Sequence, residues 1–152
     1  MAVVFLGLGS NLGERDKNIM AALLKLKEND LRLGKVSTFI ETEPCDVPPN
    51  SAPQGSYLNA VAKFETSLSP QELLLICLAI ESELGRVRTY RNAPRMIDID
   101  ILFYDNITMD TPELKIPHPR MLDREFVMKP LLEIAPEMGS LLGGKLEAKG
   151  QN

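Results

Sequence analysis

The sequence predicts an α+β fold in which two helices pack on one face of a four-stranded antiparallel sheet. Four segments have the apolar or alternating pattern of strands, and two have the 3.6-residue period of helices. Their order, strand–helix–strand–strand–helix–strand, is that of the split β-α-β motif. With 152 residues, 44% hydrophobic and 25% charged, the chain has the size and composition of one soluble globular domain. The second face of the predicted sheet is then free to carry a site.

The first half of the chain supplies two strands and one helix. Residues 2–8 form a short apolar strand, which the glycine-rich stretch 9–13 ends. This stretch does not match the dinucleotide-binding pattern G-x-G-x-x-G, because the third glycine would fall at Leu12. Residues 14–27 have helical spacing, and residues 31–43 predict one long second strand. The buried stripe predicted for the helix consists of Ile19, Ala22, Leu23 and Leu26.

The second half begins with a loop, because residues 44–55 contain four prolines and show no periodicity. Residues 56–67 return to the alternation of a strand. Ser69 begins the second helix in a capping box that Glu72 completes, and Gly85 ends that helix. The elements predicted after it are a strand that contains residues 97–101, a turn at Asp105-Asn106, a short strand at 114–116, a short helix over 125–133 and a fraying tail.

The stretch from Arg86 to Tyr104 carries the candidate site. Residues 97–101 alternate isoleucine with aspartate, so that Asp98 and Asp100 share one face of a strand, roughly 6.5–7 Å apart. Two such charges repel by about 2.5 kcal/mol at an effective dielectric near 20, and a divalent cation would turn this cost into binding energy. Oxygen ligands suit Mg²⁺. The arginines just before the strand, whose planar donors suit phosphate oxygens, are Arg86, Arg88, Arg91 and Arg95. Together they predict a nucleotide–magnesium site.

Other interpretations are open at this point. Isoleucine on one face and aspartate on the other is also the pattern of an ordinary half-exposed strand. His118, between two prolines, is by itself typical of a surface loop, and Tyr57 and Phe126 are by default core residues. A small-molecule-binding regulatory module is one alternative function. A metal-dependent nuclease is another, although the net charge of −4 counts against it.

These residues together resemble the family of 6-hydroxymethyl-7,8-dihydropterin pyrophosphokinases, enzymes of folate synthesis. The resemblance runs from about residue 4 to 136, and residues 137–152 match poorly. Its most specific part is Arg91-x-Ala93-Pro94-Arg95-x-x-Asp98-Ile99-Asp100-Ile101-Leu102. The N-terminal LGLGSNLG, the triplet Tyr57-Leu58-Asn59, the segment from Glu81 to Arg88 and Pro117-His118-Pro119 also resemble the family in order and spacing. Asn92 departs from it, because the family usually has a tryptophan there.

The resemblance implies a ferredoxin-like fold and a transfer of pyrophosphate from ATP to the hydroxymethyl group of the pterin, which leaves AMP. It implies that Asp98 and Asp100 hold two Mg²⁺ ions and, with Arg86 and Arg95, act in catalysis. The ATP contacts that it implies are Glu81, Arg86, Arg88, Arg95, Ile101 and His118. The pterin contacts that it implies are Thr42, Glu43, Pro44, Cys45, Tyr57, Asn59 and Phe126. Loops 44–55 and 86–95 would close over ATP.

The remaining expectations concern the setting of the protein. Cys45 and Cys77 have no metal or redox spacing and suit free thiols in the reducing cytoplasm. No run approaches the ~20 apolar residues of a membrane span, and the N-terminus has the pattern of a strand and not of a signal peptide. We therefore expect a cytoplasmic monomer that binds neither nucleic acid nor membranes.

Overall fold

A computed structural model of the chain describes residues 1–43, 55–85 and 96–139. Its strands are β1 (Ala2–Ser10), β2 (Leu31–Val36), β3 (Ile40–Thr42), β4 (Tyr57–Thr66), β5 (Asp98–Tyr104), β6 (Met109–Asp110) and β7 (Lys115–Ile116). Its helices are α1 (Arg15–Lys27), α2 (Pro70–Glu83) and α3 (Glu125–Ile134), and a 3₁₀ turn covers Met121–Asp123.

The main sheet is antiparallel and has the order β2-β4-β1-β5, with β3 paired to β4 beyond the end of β2. β1 lies in the middle, with β4 on one side and β5 on the other. A separate two-stranded ladder joins β6 to β7. The mixed α/β class and the antiparallel sheet agree with the sequence prediction. The main sheet has five strands, however, because the predicted second strand is divided in two.

The division of the predicted strand 31–43 occurs at Ser37 and Thr38. The Ser37 hydroxyl accepts a hydrogen bond from the backbone N–H of Val61 at 2.9 Å, in place of a backbone carbonyl. The Glu133 carboxylate accepts from the backbone N–H and the hydroxyl of Thr38, both at 2.6 Å, and these two bonds lower the pKa of Glu133. Because side chains take over the hydrogen bonds here, β2 ends at Val36 and β3 begins at Ile40.

Helices α1 and α2 pack on one face of the sheet, as predicted. The buried residues of α1 are the four that the spacing indicated. Ser69 and Glu72 form the predicted capping box at the start of α2. The core between these helices and the sheet contains Val4, Leu6 and Leu8 of β1, Ala60, Ala62 and Phe64 of β4, and Ile99 and Ile101 of β5.

Helix α3 packs on the opposite face of the sheet from the two helices that the sequence predicted to share one face. Its apolar side contacts a second core that includes Phe5, Val61 and Phe103. A β-bulge makes this core possible. Phe5 lies opposite Phe103 and Leu6 lies opposite Ile101, which leaves Leu102 as an extra residue in β5. Leu102 and Phe103 therefore both face α3.

Within the described ranges, no helix combines the length and the apolar character that crossing a membrane requires.

The capping box gives a stability prediction. We expect Ser69→Ala to lower the free energy of unfolding by about 1 kcal/mol, because the N–H of Glu72 loses its acceptor. Ser82→Ala is the matched control in an exposed position of the same helix, and it should be neutral or stabilising by about 0.5 kcal/mol. Urea titration followed by circular dichroism measures both, and equal stabilities of the two variants would contradict the role of the cap.

Candidate active site

A cavity opens on the α3 face of the sheet, next to the N-terminal end of α3. Its volume is about 740 Å³ when the part open to solvent is counted. Strands β1, β3, β4 and β5 and helix α3 all contribute to it. Its lining residues are Gly7, Leu8, Gly9, Thr42, Glu43, Tyr57, Asn59, Ala60, Asp98, Asp100, Arg124, Phe126 and Val127. The structure thus brings seven of the predicted site residues into one cavity.

The floor of the cavity depends on two glycines of β1. Gly9 lies between Asp98 of β5 and Asn59 of β4, and Gly7 lies opposite Asp100. A Cβ atom at Gly9 would come within 3.1 Å of the Asn59 Oδ1 atom and 3.4 Å of the Tyr57 ring. The missing side chain of Gly9 therefore lets the polar side chains of β4 and β5 face each other across β1.

The two aspartates occupy the β5 side of the floor. Both are half-buried, whereas Ile97, Ile99 and Ile101 are at most 6% exposed on the other face. The predicted alternation is therefore confirmed. Alternation along the strand aims both carboxylates at the cavity.

A third carboxylate lies behind this strand. Glu81 of α2 is 3% exposed, and its Oε2 atom accepts a hydrogen bond of 2.8 Å from the backbone N–H of Ile99, the residue between the aspartates.

Burial, with the charges of Glu81 and Asp100, raises the pKa of the Cys77 thiol to about 12. Cys77 is thus an uncharged core residue, and it is a free thiol as predicted.

The β3–β4 side of the cavity presents polar and aromatic groups. The Asn59 Nδ2 group donates to the Thr42 hydroxyl at 2.9 Å, and Thr42 lies opposite Tyr57 in the ladder. Asn59 is 7% exposed, so its amide is fixed by its surroundings. This side can hold a flat polar ring by stacking and by hydrogen bonds.

Helix α3 closes the cavity with Phe126 and Arg124. Both side chains are half-buried, and the Arg124 guanidinium lies over the Phe126 ring, 5.5 Å from its centroid. Arg124 is not among the site residues predicted from the sequence. A signal for it exists, because a cation directly before a helix N-terminus opposes the helix dipole and is unfavourable unless it has another role.

His118 is half-buried, and its charged surroundings connect it to the same region. Burial lowers its pKa first, the charge of Arg124 lowers it further, and the charge of Asp98 acts in the opposite direction. Its Nδ1 atom accepts a hydrogen bond from the backbone N–H of Arg120 at 3.2 Å, which leaves Nε2 as the ring nitrogen that can donate. His118 is therefore not the free surface residue that its two flanking prolines suggest.

Other predicted residues lie elsewhere. The Ile101 side chain is in the core with α1 and α2, so it faces away from the cavity. Five predicted site residues, and the loops predicted to close over ATP, fall outside the described residues. These residues are Pro44, Cys45, Arg86, Arg88 and Arg95.

The carboxylate oxygens of the cavity suit a hard cation that also binds water or phosphate oxygens. Asp98 and Asp100 offer only oxygen atoms, as Mg²⁺ prefers. Among the described residues, no group of three or more His, Cys, Asp or Glu side chains forms a complete metal cage. A cation here would therefore take its other ligands from water and phosphate oxygens.

Comparison with known proteins decides the family. Residues 5–136 match the model of the 7,8-dihydro-6-hydroxymethylpterin-pyrophosphokinase family. The chain belongs to this family. It is 46% identical over 138 residues to the 2-amino-4-hydroxy-6-hydroxymethyldihydropteridine pyrophosphokinase of Aquifex aeolicus, with 91% of this chain and 83% of the relative covered. Membership makes the chain a pyrophosphokinase, which confirms the family and the enzyme class predicted from the sequence.

Some relatives of the chain are much longer. The chain is 42% identical to the folic acid synthesis protein fol1 of Pneumocystis carinii, covering 89% of this chain but 18% of that protein. The fold also resembles a crystal structure of Plasmodium falciparum HPPK-DHPS, with a TM-score of 0.64 at 18% identity, covering 90% of this chain and 40% of that one.

The two floor glycines give a paired prediction. Alanine in place of a strand glycine usually stabilises by about 0.5–1 kcal/mol. At Gly7 the new Cβ would meet Leu102 at 3.6 Å, an ordinary contact, so Gly7→Ala should raise the melting temperature or leave it unchanged. Gly9→Ala should lower it, because Asn59 must move away from its bond with Thr42. Thermal unfolding measures both, and a Gly9→Ala variant more stable than Gly7→Ala would contradict this account.

Proposed function

We propose that this pyrophosphokinase transfers the pyrophosphate of ATP to the hydroxymethyl group of 6-hydroxymethyl-7,8-dihydropterin, in folate biosynthesis. The observation that carries the proposal is the joint lining of one cavity by a carboxylate pair on β5 and by aromatic and amide groups on α3 and β4.

We also propose a ferredoxin-like class for the fold, since the strand order β2-β4-β1-β5 suits it. We further propose that the protein is a monomer in the cytoplasm that binds neither nucleic acid nor membranes.

The pterin would occupy the side of the cavity between β4 and α3. Phe126 and Tyr57 offer aromatic surfaces for the bicyclic ring, and Asn59 and Thr42 offer a fixed pair of polar groups for its ring edge. Glu43 also lines the cavity. Pro44 and Cys45, which follow it in the chain, would complete this side.

The phosphates would lie toward β5. Asp98 and Asp100 would hold two Mg²⁺ ions, which supply charge neutralisation for the triphosphate when bound. Arg124 adds a cation to the cavity lining, and His118 would donate through Nε2 to a phosphate oxygen. The cations that we assign to the phosphates from outside the described residues are Arg86, Arg88 and Arg95.

Two residues would support the nucleotide indirectly. The Ile101 side chain is buried among α1 and α2, so a contact with the nucleotide would come from its backbone. Glu81 is buried and bonded to the Ile99 N–H, so it would hold the β5 strand on which the phosphates rest.

The reaction needs positioning and charge more than covalent help from the protein. The pterin hydroxyl oxygen forms a bond to the β-phosphorus and releases its proton to water, and the bond from the β-phosphorus to the α,β-bridging oxygen breaks. AMP leaves with that oxygen. Charge develops on both sides of the transferred group, which suits cations distributed around a cavity.

A product analysis tests the proposed function. Protein, Mg²⁺ and the pterin are mixed with ATP labelled at the β-phosphate. We expect the label on the pterin together with one AMP for each pterin consumed. ADP as the product, or loss of ATP that does not depend on the pterin, would contradict the proposal, and a regulatory module would bind both ligands without turnover.

The metal assignment gives a separate prediction. Asp98→Asn and Asp100→Asn keep the side-chain shape but lose a charge, and each should lower the rate about 100-fold or more. Both should remain folded, since the packing side of β5 is its isoleucine face. Asp110→Asn is the matched control, because Asp110 pairs with Lys115 in the β6–β7 ladder, away from the cavity lining. Near-normal turnover of either site variant at saturating Mg²⁺ would refute the assignment.

A further inference from the structure

Arg15, the first residue of α1, joins two strand ends that are distant in sequence. Its Nη1 group donates to the backbone carbonyl of Ser56 at 2.9 Å, 41 residues away. Its Nη2 group donates to the Glu41 carboxylate, 26 residues away. Glu41 lies in β3 and Ser56 directly precedes β4, so one side chain bridges the paired ends of β3 and β4.

The bridged ends are next to two residues of the cavity. Thr42 follows Glu41, Tyr57 follows Ser56, and Thr42 and Tyr57 lie opposite each other as the last pair of the ladder. Both line the cavity. Because side chains alternate along a strand, Glu41 points away from the face that Thr42 occupies. Arg15 thus acts from the helix side of the sheet, behind the cavity.

The ladder at this point is short. β3 has three residues, and its register with β4 covers only Ile40, Glu41 and Thr42. The ends of such short strands open readily unless other contacts hold them. A guanidinium suits this task, because its rigid fork reaches a carbonyl and a carboxylate at once.

We propose that Arg15 is a positioning residue for the pterin side of the site: it fixes the spacing of Thr42 and Tyr57 by bridging Glu41 and Ser56. This inference rests on the proposed function, because it takes the ligand beside Thr42 and Tyr57 to be the pterin. Strand β1 separates the bridged strands β3 and β4 from the aspartates on β5. Arg15 therefore affects pterin binding and leaves nucleotide binding unchanged.

The test compares three variants of the full chain. Arg15→Met keeps an unbranched apolar stem and removes both donors. Arg15→Lys keeps the charge beside Glu41 but loses the fork. Lys17→Met is the matched control, because Lys17 is another cation of α1 and pairs only with Glu14 among the described ion pairs. Calorimetry gives the Kd of an unhydrolysable ATP analogue with Mg²⁺, and then the Kd of the pterin in its presence.

We expect Arg15→Met to raise the Kd of the pterin about fivefold. The expected effect is modest because the ion pair between Arg15 and Glu41 is partly exposed to solvent, which weakens it. The Kd of the ATP analogue should stay within about twofold. The Kd of the pterin for Arg15→Lys should lie between those of Arg15→Met and the wild type. Lys17→Met should change neither Kd. Amide hydrogen exchange should become faster at residues 40–43 and 56–58 in Arg15→Met and stay unchanged at 98–104.

Two results would overturn the inference. One is an unchanged Kd of the pterin in Arg15→Met. The other is equal weakening of both ligands with faster exchange at 98–104, which would mean that Arg15 only stabilises the fold. If the wild type itself binds no pterin, the proposed function fails, and the exchange at 40–43 and 56–58 still decides whether Arg15 holds the strand ends.

Discussion

The pairing of β5 with β1 is the constraint on which the site depends. β1 lies between β4 and β5, and its Leu6 and Leu8 fix which face of the sheet meets α1 and α2. Once Ile99 is opposite Leu8 in this register, Asp98 and Asp100 must face the other way. A shift of one residue would bury both carboxylates in an apolar core, at a cost of several kcal/mol each. The same packing that holds the sheet together therefore presents the acidic pair.

Helix α3 turns this exposed face into a cavity. It covers the end of the sheet that carries Phe5 and Phe103. Because its N-terminal end lies at Arg124, the end of the sheet that carries the aspartates remains open. Glu133 near its C-terminal end bonds to Thr38 between β2 and β3, which ties the helix to the strands that carry Thr42 and Tyr57. The walls of the cavity are thus set by contacts made outside it.

The parts that the sequence predicted well are those governed by local rules. The alternation of β5, the stripe of α1 and the capping box of α2 each follow from a period or a cap that a few neighbouring residues determine. The division of the second strand depends on Val61 and Glu133, which are 24 and 95 residues from their partners. No local pattern around Ser37 contains that information.

The residues of the candidate site likewise differ in whether a local pattern or only the folded structure indicates them. The spacing of Asp98 and Asp100, together with the arginines before them, predicts a nucleotide–magnesium site, and the family resemblance implies Tyr57, Asn59 and Phe126. Arg124 was missed because its place beside Phe126 depends on how α3 meets the sheet. The role of Gly9 was missed as well, since the closeness of Asn59 arises only from the pairing of β1 with β4.

The bulge at Leu102 has a consequence for anyone who redesigns this domain. Before it, odd-numbered residues of β5 face α1 and α2, whereas after it Tyr104 faces them instead and its hydroxyl bonds to the Leu68 carbonyl just before α2. One strand therefore contains two frames of alternation, an acidic frame and an aromatic frame, joined by one extra residue. An idealised strand with uniform alternation can preserve the acidic frame or the aromatic one, but it cannot carry both.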